Sequence, residues 1–513
     1  MAKSETKFLL LFFFSVVILP VNVTGQLMNH YWAQSYNSIS TLLSGAVVGE
    51  GSGNAAIYYN PSAIVDLEDG NNISVAASIF TFNTYGLKNV MGPGDHITSS
   101  NLLVQPQFLS YGVKSPFKKW SFELAVFNRL REDMNLYYAG SEEFEIPELT
   151  HIPNRLNRVF SYRNYYTDSW IGLGGGYSYS ERLSFGTSLN ISISSLKYNY
   201  DLSATVYPLL SDTALLDEST ALLARNEVSE SIDFTNIRLI AKFGATYRFD
   251  NANIGMCISL PAIKLFSVGK KASKGVNEVY SPELDPDNDR LNYYIFDHQN
   301  GKQLKTNFRL PFSIALGFAY SFTNTKKIYF TSEYFASTGS YKLVDAQMNS
   351  NITTDNIYNQ LENKNWLTYE FKARPVFNLA LGYQWEVKEN VLLLMGIRTD
   401  FNSIRQSDIN SDYLKTGLYS TTSHNYHATT GVKFNLKKHL LIAGTQLTFG
   451  RQKDLLQVSN YGSVDNFFDN KEVMPLMGIR ERNVRVNQFS ISLFLGATLN
   501  FESKSSRKSS TIN

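Results

Sequence analysis

The sequence predicts an all-β protein: a transmembrane antiparallel β-barrel of about fourteen strands, with an N-terminal hatch, or plug, in its lumen. Three observations support this prediction. Many segments alternate apolar and polar residues with a period of two, the pattern of a strand with one apolar face. The connections between these segments are short and long in turn. Tyr and Phe number 31 and 34, while only 18% of residues are charged, a composition that suits strands covering an interface.

The first 25 residues are typical of a secretory signal peptide. Lys3 and Lys7 precede or flank the start of the apolar stretch FLLLFFFSVVILP, and the following VNVTGQ offers small residues for cleavage after Gly25. The apolar stretch has 13 residues, which is short for a transmembrane helix. We therefore expect residues 1–25 to be removed during export.

Fourteen segments show the strand pattern, most clearly the last one, QFSISLFLGATLNF. Alternate residues from Phe489 to Phe501 are apolar there, and those between are mostly Ser, Gly, Thr and Asn. Small polar residues fit a lumen and large apolar residues fit lipid, whereas a soluble sandwich would carry longer, charged residues outside. The predicted strands are 72–80, 102–113, 119–130, 168–179, 182–207, 231–249, 252–268, 305–322, 327–337, 375–387, 391–401, 423–434, 439–451 and 486–501.

The lengths of the connections between the predicted strands indicate a membrane barrel. KSPFK, SE, DN, NTKK, KEN and NLKK alternate with long connections of about 20 to 37 residues, and outer-membrane barrels have short periplasmic turns and long outer loops. An even number of strands leaves both termini on the periplasmic side. A propeller or solenoid would show a fixed repeat, which the sequence lacks. We therefore expect a multi-pass protein of the bacterial outer membrane, with the barrel over residues 72–501.

Other classes of function find no support in the sequence. The net charge of +2 gives no reason to expect nucleic acid as a partner. The single cysteine, Cys257, excludes an internal disulfide framework and a cysteine-based metal site. The sequence has no G-x-S-x-G, phosphate-loop or H-E-x-x-H motif, so we expect no enzyme activity, no metal and no cofactor.

Residues 26–71 precede the first strand and are predicted to form the hatch. They include ISTLLSGAVV and AAIYYNPSAIVDL, which are too apolar to lie free in the periplasm, and the lumen of a fourteen-stranded barrel is wide enough to hold them. Asn60, Pro61 and Ser62 form the predicted hatch turn, because proline fixes its own φ and restricts the residue before it. Residues 502–513 are polar and are predicted to be a disordered tail.

This combination resembles the outer-membrane long-chain fatty-acid transporter family of the FadL/TodX type. Members of that family carry a small-residue hatch with an Asn-Pro-Ala turn ahead of a fourteen-stranded barrel. Here GAVVGEGSGNAAIYYNPSAI has that character, with Ser62 in place of Ala. The resemblance implies passive uptake of hydrophobic compounds, such as long-chain fatty acids or aromatic compounds. It also implies gating by the hatch and lateral release of the ligand through the barrel wall.

A lateral exit needs a break in the backbone pairing of the wall. Pro106 lies inside the second predicted strand and lacks the N–H that a central strand donates. Family members have a kink in the third strand, but KWSFELAVFNRL here contains no Gly or Pro. Gly172, Gly174 and Gly176 line one face of the fourth strand. These four residues are the exit candidates; the alternative is a bulge that merely fits the hatch.

Five basic residues on predicted lumen faces are candidates for binding a ligand carboxylate through charge-assisted hydrogen bonds. They are Arg129, Arg238, Lys242, Arg309 and Arg398. The alternative is that they pair with acidic residues of the same lumen or with the hatch.

A second function, in protein secretion or assembly through the long outer loops, stays open because a shared fold does not fix function. In either case the expected partners include outer-membrane lipid. The outer-membrane assembly machinery is a further expected partner during biogenesis. The last strand ends in an aromatic residue, Phe501, and so resembles the terminal-strand signal that this machinery reads.

Overall fold

The described part of the chain consists mainly of strands. The structure is a computed structural model. The predicted signal peptide, residues 1–25, and the predicted tail, residues 502–513, lie outside the described residues. The structure describes residues 29–32, 36, 38–67, 71–113, 115, 117–144, 154–208, 223–280, 293–300, 304–346, 368–405, 423–436, 439–463 and 474–501.

Two short helices, α1 (Ser38–Leu42) and α2 (Ala56–Tyr59), precede the strands. Turns of 3₁₀ helix cover Gly53–Ala55, Pro61–Asp66, Tyr461–Ser463 and Pro475–Met477. Within the described residues, no helix is long and apolar enough to cross a bilayer. The strands are β1 (Asn71–Lys88), β2 (His96–Val113), β3 (Trp120–Phe144), β4 (Asn154–Ser178), β5 (Leu183–Pro208), β6 (Leu223–Arg248), β7 (Ala252–Ser259), β8 (Ile263–Tyr280), β9 (Tyr293–Asn300), β10 (Leu304–Thr306), β11 (Ser313–Thr323), β12 (Lys326–Phe335), β13 (Gly339–Ala346), β14 (Tyr369–Ala373), β15 (Val376–Lys388), β16 (Val391–Asp400), β17 (His424–Leu436), β18 (His439–Leu456) and β19 (Arg482–Phe501).

Fourteen of these strands close into an antiparallel barrel, which confirms the predicted fold class. They are β1 to β7, β11, β12 and β15 to β19, each paired with its neighbours in chain order. β1 pairs with β19 to close the wall, from Asn71 opposite Phe501 to Lys88 opposite Arg485. Short turns lie at the end of the barrel that holds both Asn71 and Phe501, which is the periplasmic end in barrels of this kind.

The outer face of the barrel is apolar. In β5, Ser188 and Asn190 are buried in the lumen, whereas Leu189 and Ile191 point outward and are 52% and 42% exposed. Large apolar side chains at this exposure need lipid around them. Aromatic residues gather near the periplasmic rim, as in membrane barrels; they include Trp120, Tyr177, Tyr179, Phe185, Tyr247, Phe249, Tyr320 and Phe322.

The outer mouth of the barrel is filled by an apolar core. Strands β3 to β6 and β8 extend past the membrane wall. β10, β13 and β14 form a separate three-stranded sheet that packs against their inner faces. Phe308 contacts both Tyr166 and Phe371, with ring centroids 5.9 and 6.1 Å apart, and Tyr341 packs on Phe371 at 5.7 Å. In this structure the core closes the direct route from outside into the lumen.

The hatch lies inside the barrel at its periplasmic end. Its two helices and 3₁₀ turns are buried against the wall. Two ion pairs hold its lower side: Glu50 with Lys327 of β12, at 2.5 Å, and Asp66 with Arg248 of β6, at 2.7 Å. The position of this segment inside the lumen agrees with the predicted hatch; its limits, residues 26–71, remain a prediction.

A ring of lumen-facing glycines, here called the glycine belt, lets the hatch approach the wall. A Cβ atom on Gly255 would meet the carbonyl carbon of Val48 at 2.8 Å, and one on Gly396 would meet the carbonyl carbon of Leu43 at 2.6 Å. Real side chains do not approach so closely, so the hatch backbone packs directly on the wall backbone. The belt consists of Gly172, Gly174, Gly176, Gly186, Gly244, Gly255, Gly317, Gly382, Gly396, Gly431 and Gly444.

Two predicted strands are wrong in part. The segment 252–268 is interrupted at residues 260–262, between β7 and β8, and 305–322 forms a regular barrel strand only from Ser313. Pro261 and Pro311 lie in the two interruptions. Proline has no N–H to donate to a ladder, so each residue ends the pairing although the apolar alternation continues through it.

The glycine belt predicts a specific sensitivity of the hatch. Gly255→Ala should displace the hatch, because the new methyl group would overlap the Val48 backbone; overpacking of this kind costs about 1–3 kcal/mol. Limited proteolysis of the folded barrel in detergent should then cleave the hatch faster than in the unaltered protein. Gly86→Ala is the matched control, since the nearest atom to its Cβ, Thr98 Oγ1, is 3.9 Å away. Equal cleavage rates for the two variants would contradict the packing argument.

Candidate functional site: the lumen above the hatch

An aromatic cluster covers the hatch on its outer side. Tyr36 and Tyr58 of the hatch lie 4.1 Å apart between ring centroids. Phe127 of β3 is 5.2 Å from Tyr36 and 5.6 Å from both Tyr58 and Trp170 of β4, and Phe108 of β2 is 6.0 Å from Phe127. The cluster therefore joins the hatch to strands β2, β3 and β4.

A cavity of about 40 Å³ lies beside this cluster. Tyr31, Tyr58, Trp170 and Phe335 form much of its lining, and Leu260 and Leu310 reach it from the opposite wall. Its volume holds a few water molecules rather than a ligand. Arg129, Lys242 and Glu333 line it as well, and an apolar lining with a few polar groups suits an apolar ligand with a polar end once side chains move.

Two of the five predicted basic residues share one buried carboxylate. Arg129 Nε donates to Asp168 Oδ2 at 2.6 Å, and Arg238 Nη2 donates to Asp168 Oδ1 at 3.2 Å. Ser192 Oγ and Trp170 Nε1 also donate to Asp168 Oδ1, at 2.6 and 3.1 Å. The cluster carries one net positive charge, because two guanidinium groups face one carboxylate. In this conformation Arg129 and Arg238 therefore pair with an acidic residue of the lumen, which is the alternative to binding a ligand carboxylate.

The other three basic candidates lie in different surroundings. Lys242 Nζ donates to the carbonyl oxygen of Tyr58 at 2.6 Å and lies 4.0 Å from the centre of that ring. Arg398 is buried, and its Nη2 donates to Gln446 Oε1 at 3.4 Å. Arg309 is exposed and stacks over Tyr341 at 4.7 Å. Its placement on a lumen-facing strand was wrong, because the segment before Ser313 has left the barrel wall.

The hatch turn is held by side-chain hydrogen bonds. Asn60 Nδ2 donates to the Val48 carbonyl at 2.8 Å and to Thr246 Oγ1 at 3.0 Å. Asn60 Oδ1 accepts from the backbone N–H of Ser62 at 3.2 Å and from its hydroxyl at 2.7 Å. Ser62 Oγ is also 2.7 Å from Thr246 Oγ1. The Ser62 hydroxyl therefore has one partner on β6, Thr246, and Asn60 links the turn to the wall.

The leading part of the hatch reaches further up the lumen, which the sequence did not indicate. His30 Nδ1 lies 3.1 Å from Asp400 Oδ2 of β16, and the Trp32 backbone N–H donates to Asp400 Oδ1 at 3.0 Å. Trp32 Nε1 donates to Glu333 Oε2 at 2.6 Å. Tyr31 stacks on Phe335 at 4.3 Å. These contacts join residues more than 300 positions apart, and no local pattern marks them.

The barrel wall is incomplete between β2 and β3. Their ladder runs from Val113 opposite Phe122 to Phe108 opposite Phe127 and ends there. Beyond this point β2 continues along β1, and β3 continues along β4. Within the described residues, the outer parts of β2 and β3 thus leave a gap, here called the β2–β3 gap.

Pro106 lies at the start of this gap. Three neighbouring strands shift register there: β1 between Ser78 and Phe80, β2 at Gln107, and β3 at Arg129. Asn128 Nδ2 donates to the Pro106 carbonyl at 2.8 Å, so a side chain replaces the missing ladder bond. β-Bulges re-aim side chains and end pairing, and the aromatic cluster lies directly behind this level.

The three glycine candidates lie elsewhere. A Cβ atom on Gly174 would meet Ile64 Cδ1 at 2.6 Å, and one on Gly176 would meet Val65 Cγ1 at 2.9 Å. Gly172 contacts Ile57 in the same way, at 3.0 Å. All three belong to the glycine belt and receive the hatch, so the geometry separates them from Pro106.

Solved structures resemble this fold. The toluene transporter TodX of Pseudomonas putida has a TM-score of 0.55 and 14% sequence identity, over 91% of this chain and 99% of that one. A FadL homologue of Pseudomonas aeruginosa has a TM-score of 0.53 and 10% identity, over 92% of this chain and 100% of that one. No protein-family model matches the sequence, and no curated protein matches it either.

At these identities the likeness establishes the fold. The neighbours share the barrel over nearly their whole length, and the exposed apolar wall fits a bilayer. The protein is therefore an outer-membrane β-barrel that crosses the membrane with fourteen strands, and its fold is that of the FadL/TodX-type channels that the hatch motif indicated.

Proposed function

We propose that this protein is a passive channel for hydrophobic compounds such as long-chain fatty acids or aromatic compounds. The hatch gates it, and the ligand leaves laterally through the barrel wall. The fold shared with a toluene transporter and a FadL homologue supports this function. The observation that carries it is the position of the aromatic cluster behind the β2–β3 gap, with the cavity on the inner side of the cluster, where Tyr58 and Trp170 belong to both.

The gap is a costly feature for a barrel in lipid. Backbone N–H and C=O groups without partners are strongly disfavoured in the hydrocarbon region. A continuous β2–β3 ladder would satisfy them, but the ladder ends where three adjacent strands shift register. The side chains of Asn128 and Asn101 donate to two of the carbonyls across the gap, those of Pro106 and Asp133. A lateral passage would explain the interrupted pairing, because an apolar ligand can pass through it from the cavity to the lipid without crossing water.

Opening requires the hatch side chains to move. The cavity is too small for a ligand in this conformation, and Tyr58, which lines it, packs against Phe127. A shift of Tyr58 would also release Lys242, whose ammonium group donates to the Tyr58 carbonyl. Lys242 then becomes the best-placed group for a ligand carboxylate, whereas Arg129 and Arg238 would have to leave Asp168. Movement of the gate and exposure of the cation are coupled in this way.

Several expectations complete the proposal. Outer-membrane lipid surrounds the wall, and the assembly machinery inserts the chain by reading β19, which ends in Phe501. Residues 1–25 act as signal peptide, 26–71 as hatch, 72–501 as barrel and 502–513 as tail. We expect no enzyme activity.

Uptake into liposomes tests the function directly. Refolded protein should carry a labelled long-chain fatty acid into liposomes faster than empty liposomes take it up. Pro106→Val should slow this uptake several-fold, because valine supplies an N–H and favours continued pairing of β2. Pro375→Val, at an exposed position between β14 and β15, is the matched control. Uptake unchanged by the Pro106 substitution would keep the channel and remove the exit from β2. A folded, heat-modifiable barrel without uptake would favour a different ligand or the alternative role in secretion or assembly.

A reversible disulfide between the hatch and the wall tests whether the hatch must move during uptake. Val48 of the hatch packs with Cys257 of β7 in one buried cluster, so Val48→Cys places a second thiol beside the native one. Oxidation should stop uptake and a reducing agent should restore it, if the hatch must move away from β7. Mass spectrometry verifies the disulfide, and the unaltered protein under the same oxidation is the control. Full uptake through a verified disulfide would refute hatch movement at this contact.

A further inference from the structure

The barrel wall has a second break, on the side facing the β2–β3 gap across the cavity. β7 pairs with β11 up to Ser259 opposite Ser313. Beyond that pair, β8 follows β6, and the chain before β11 turns away from it. Among the described residues, the backbone link across this break is one hydrogen bond, from Ala262 N–H to the Leu310 carbonyl at 3.2 Å. The break between residues 260–269 and 307–312 is here called the β8 window.

The β8 window presents apolar side chains on its outer face, and the register with β6 shifts at Leu265. Ile263, Leu265, Phe266 and Val268 are 62%, 54%, 54% and 43% exposed, and Lys264 between them is exposed as well. A wall strand normally alternates between exposed and buried residues, as β5 does. Lys264 lies opposite the buried Arg238 and so on the lumen side, and its exposure means that this side of the stretch is also uncovered by the described residues.

The window lies within the apolar band of the wall. Ile263 is opposite Leu239 and Phe266 is opposite Ile237 on β6. Tyr247, on the same strand, belongs to the periplasmic aromatic girdle. The distance from Tyr247 to Ile237 is about ten residues, the length of one membrane-crossing strand. The window therefore faces the outer leaflet of the bilayer.

The window also opens on the cavity above the hatch. Leu260, Leu310 and Pro311 line that cavity together with Tyr58 and Trp170. The direct route from the outer mouth is filled by the apolar core. A molecule dissolved in the outer leaflet would thus reach the cavity through the wall without crossing this core.

Cationic side chains surround the window. Lys264 donates to the Thr306 carbonyl at 2.7 Å, and Lys305 lies close enough to repel it electrostatically. Arg309 stacks on Tyr341. Within the described residues, none of the three cations forms an ion pair with a carboxylate. Exposed cations at the outer edge of an apolar band match an anionic headgroup with an acyl chain below it.

We propose that the β8 window is a second lateral opening, which binds a single-chain anionic amphiphile dissolved in the outer leaflet. The headgroup lies against Lys264 and Arg309, and the chain lies along Ile263 and Phe266 toward Leu310. This inference rests on the proposed channel function and extends it, since it gives the channel an entrance from the membrane in addition to its exit.

Photo-crosslinking in bilayer nanodiscs tests the window. The probe is a long-chain fatty acid with a diazirine in its chain, and the labelled residues are mapped by mass spectrometry. We expect labels within 260–268 and 307–311. The double variant Lys264→Gln, Arg309→Gln should reduce this labelling by roughly tenfold, the size of effect that loss of a hydrogen bond to a charged group gives. Labelling by the matching fatty alcohol should not change. Lys270→Gln, on the exposed part of the same strand, should label like the unaltered protein.

The other outcomes separate the window from the channel. Labels confined to residues 102–108 and 127–130 would overturn the window and leave the channel in place. Window labels that are equal for acid and alcohol, and unaffected by the double variant, would overturn the anionic-headgroup assignment. Uptake into liposomes, measured in parallel, distinguishes the remaining cases: uptake without window labels overturns the window alone, and absence of both overturns both proposals. Heat-modifiability on gels verifies that each variant is folded.

Discussion

The direct contact between hatch backbone and wall backbone is the constraint on which the lumen depends. Glycines from nine strands meet the hatch, and several lie opposite one another, as Gly176 does to Gly186 and Gly255 does to Gly317. Such pairs make grooves without side chains, into which the hatch fits at van der Waals distance. The depth at which the hatch lies in the barrel determines where Asn60 meets β6 and where Tyr58 lies beneath the cavity.

The contacts of the polar and charged lumen residues also depend on the depth at which the hatch lies in the barrel. Because the hatch lies deep, its own polar groups reach wall residues: His30 meets Asp400, Trp32 meets Glu333, and the Tyr58 carbonyl meets Lys242. Buried charges need such partners. The hatch therefore does two things at once, since it blocks the lumen and it provides polar partners for wall groups that would otherwise face a ligand. Any displacement of the hatch changes the shape and the electrostatics of the cavity together.

The sequence predicts the class of fold well because its signals are local. Alternation, short turns and the Asn60–Pro61–Ser62 turn are each contained in a few neighbouring residues. The belt could not be predicted, because the pairing of Gly431 with Gly444 depends on register. The contact of His30 with Asp400 spans 370 positions. The predicted strand 305–322 is wrong in its first part for another reason, because the alternation continues through residues 307–312, which do not pair as a barrel strand. Periodicity reports which faces are apolar and does not report whether the ladder is intact.

The two breaks in the wall are connected from inside. Arg129 is the residue at which β3 shifts register beside the β2–β3 gap, and Arg238 lies at the register shift opposite Lys264 of the β8 window. Asp168 holds both guanidinium groups. The ion cluster thus spans β3, β4 and β6 and braces the part of the wall that separates the two breaks. A buried cluster of this kind contributes more to a defined geometry than to net stability. The wall lacks ladder bonds at both edges of this section, so the ion cluster helps to hold β3, β4 and β6 in place between the two breaks.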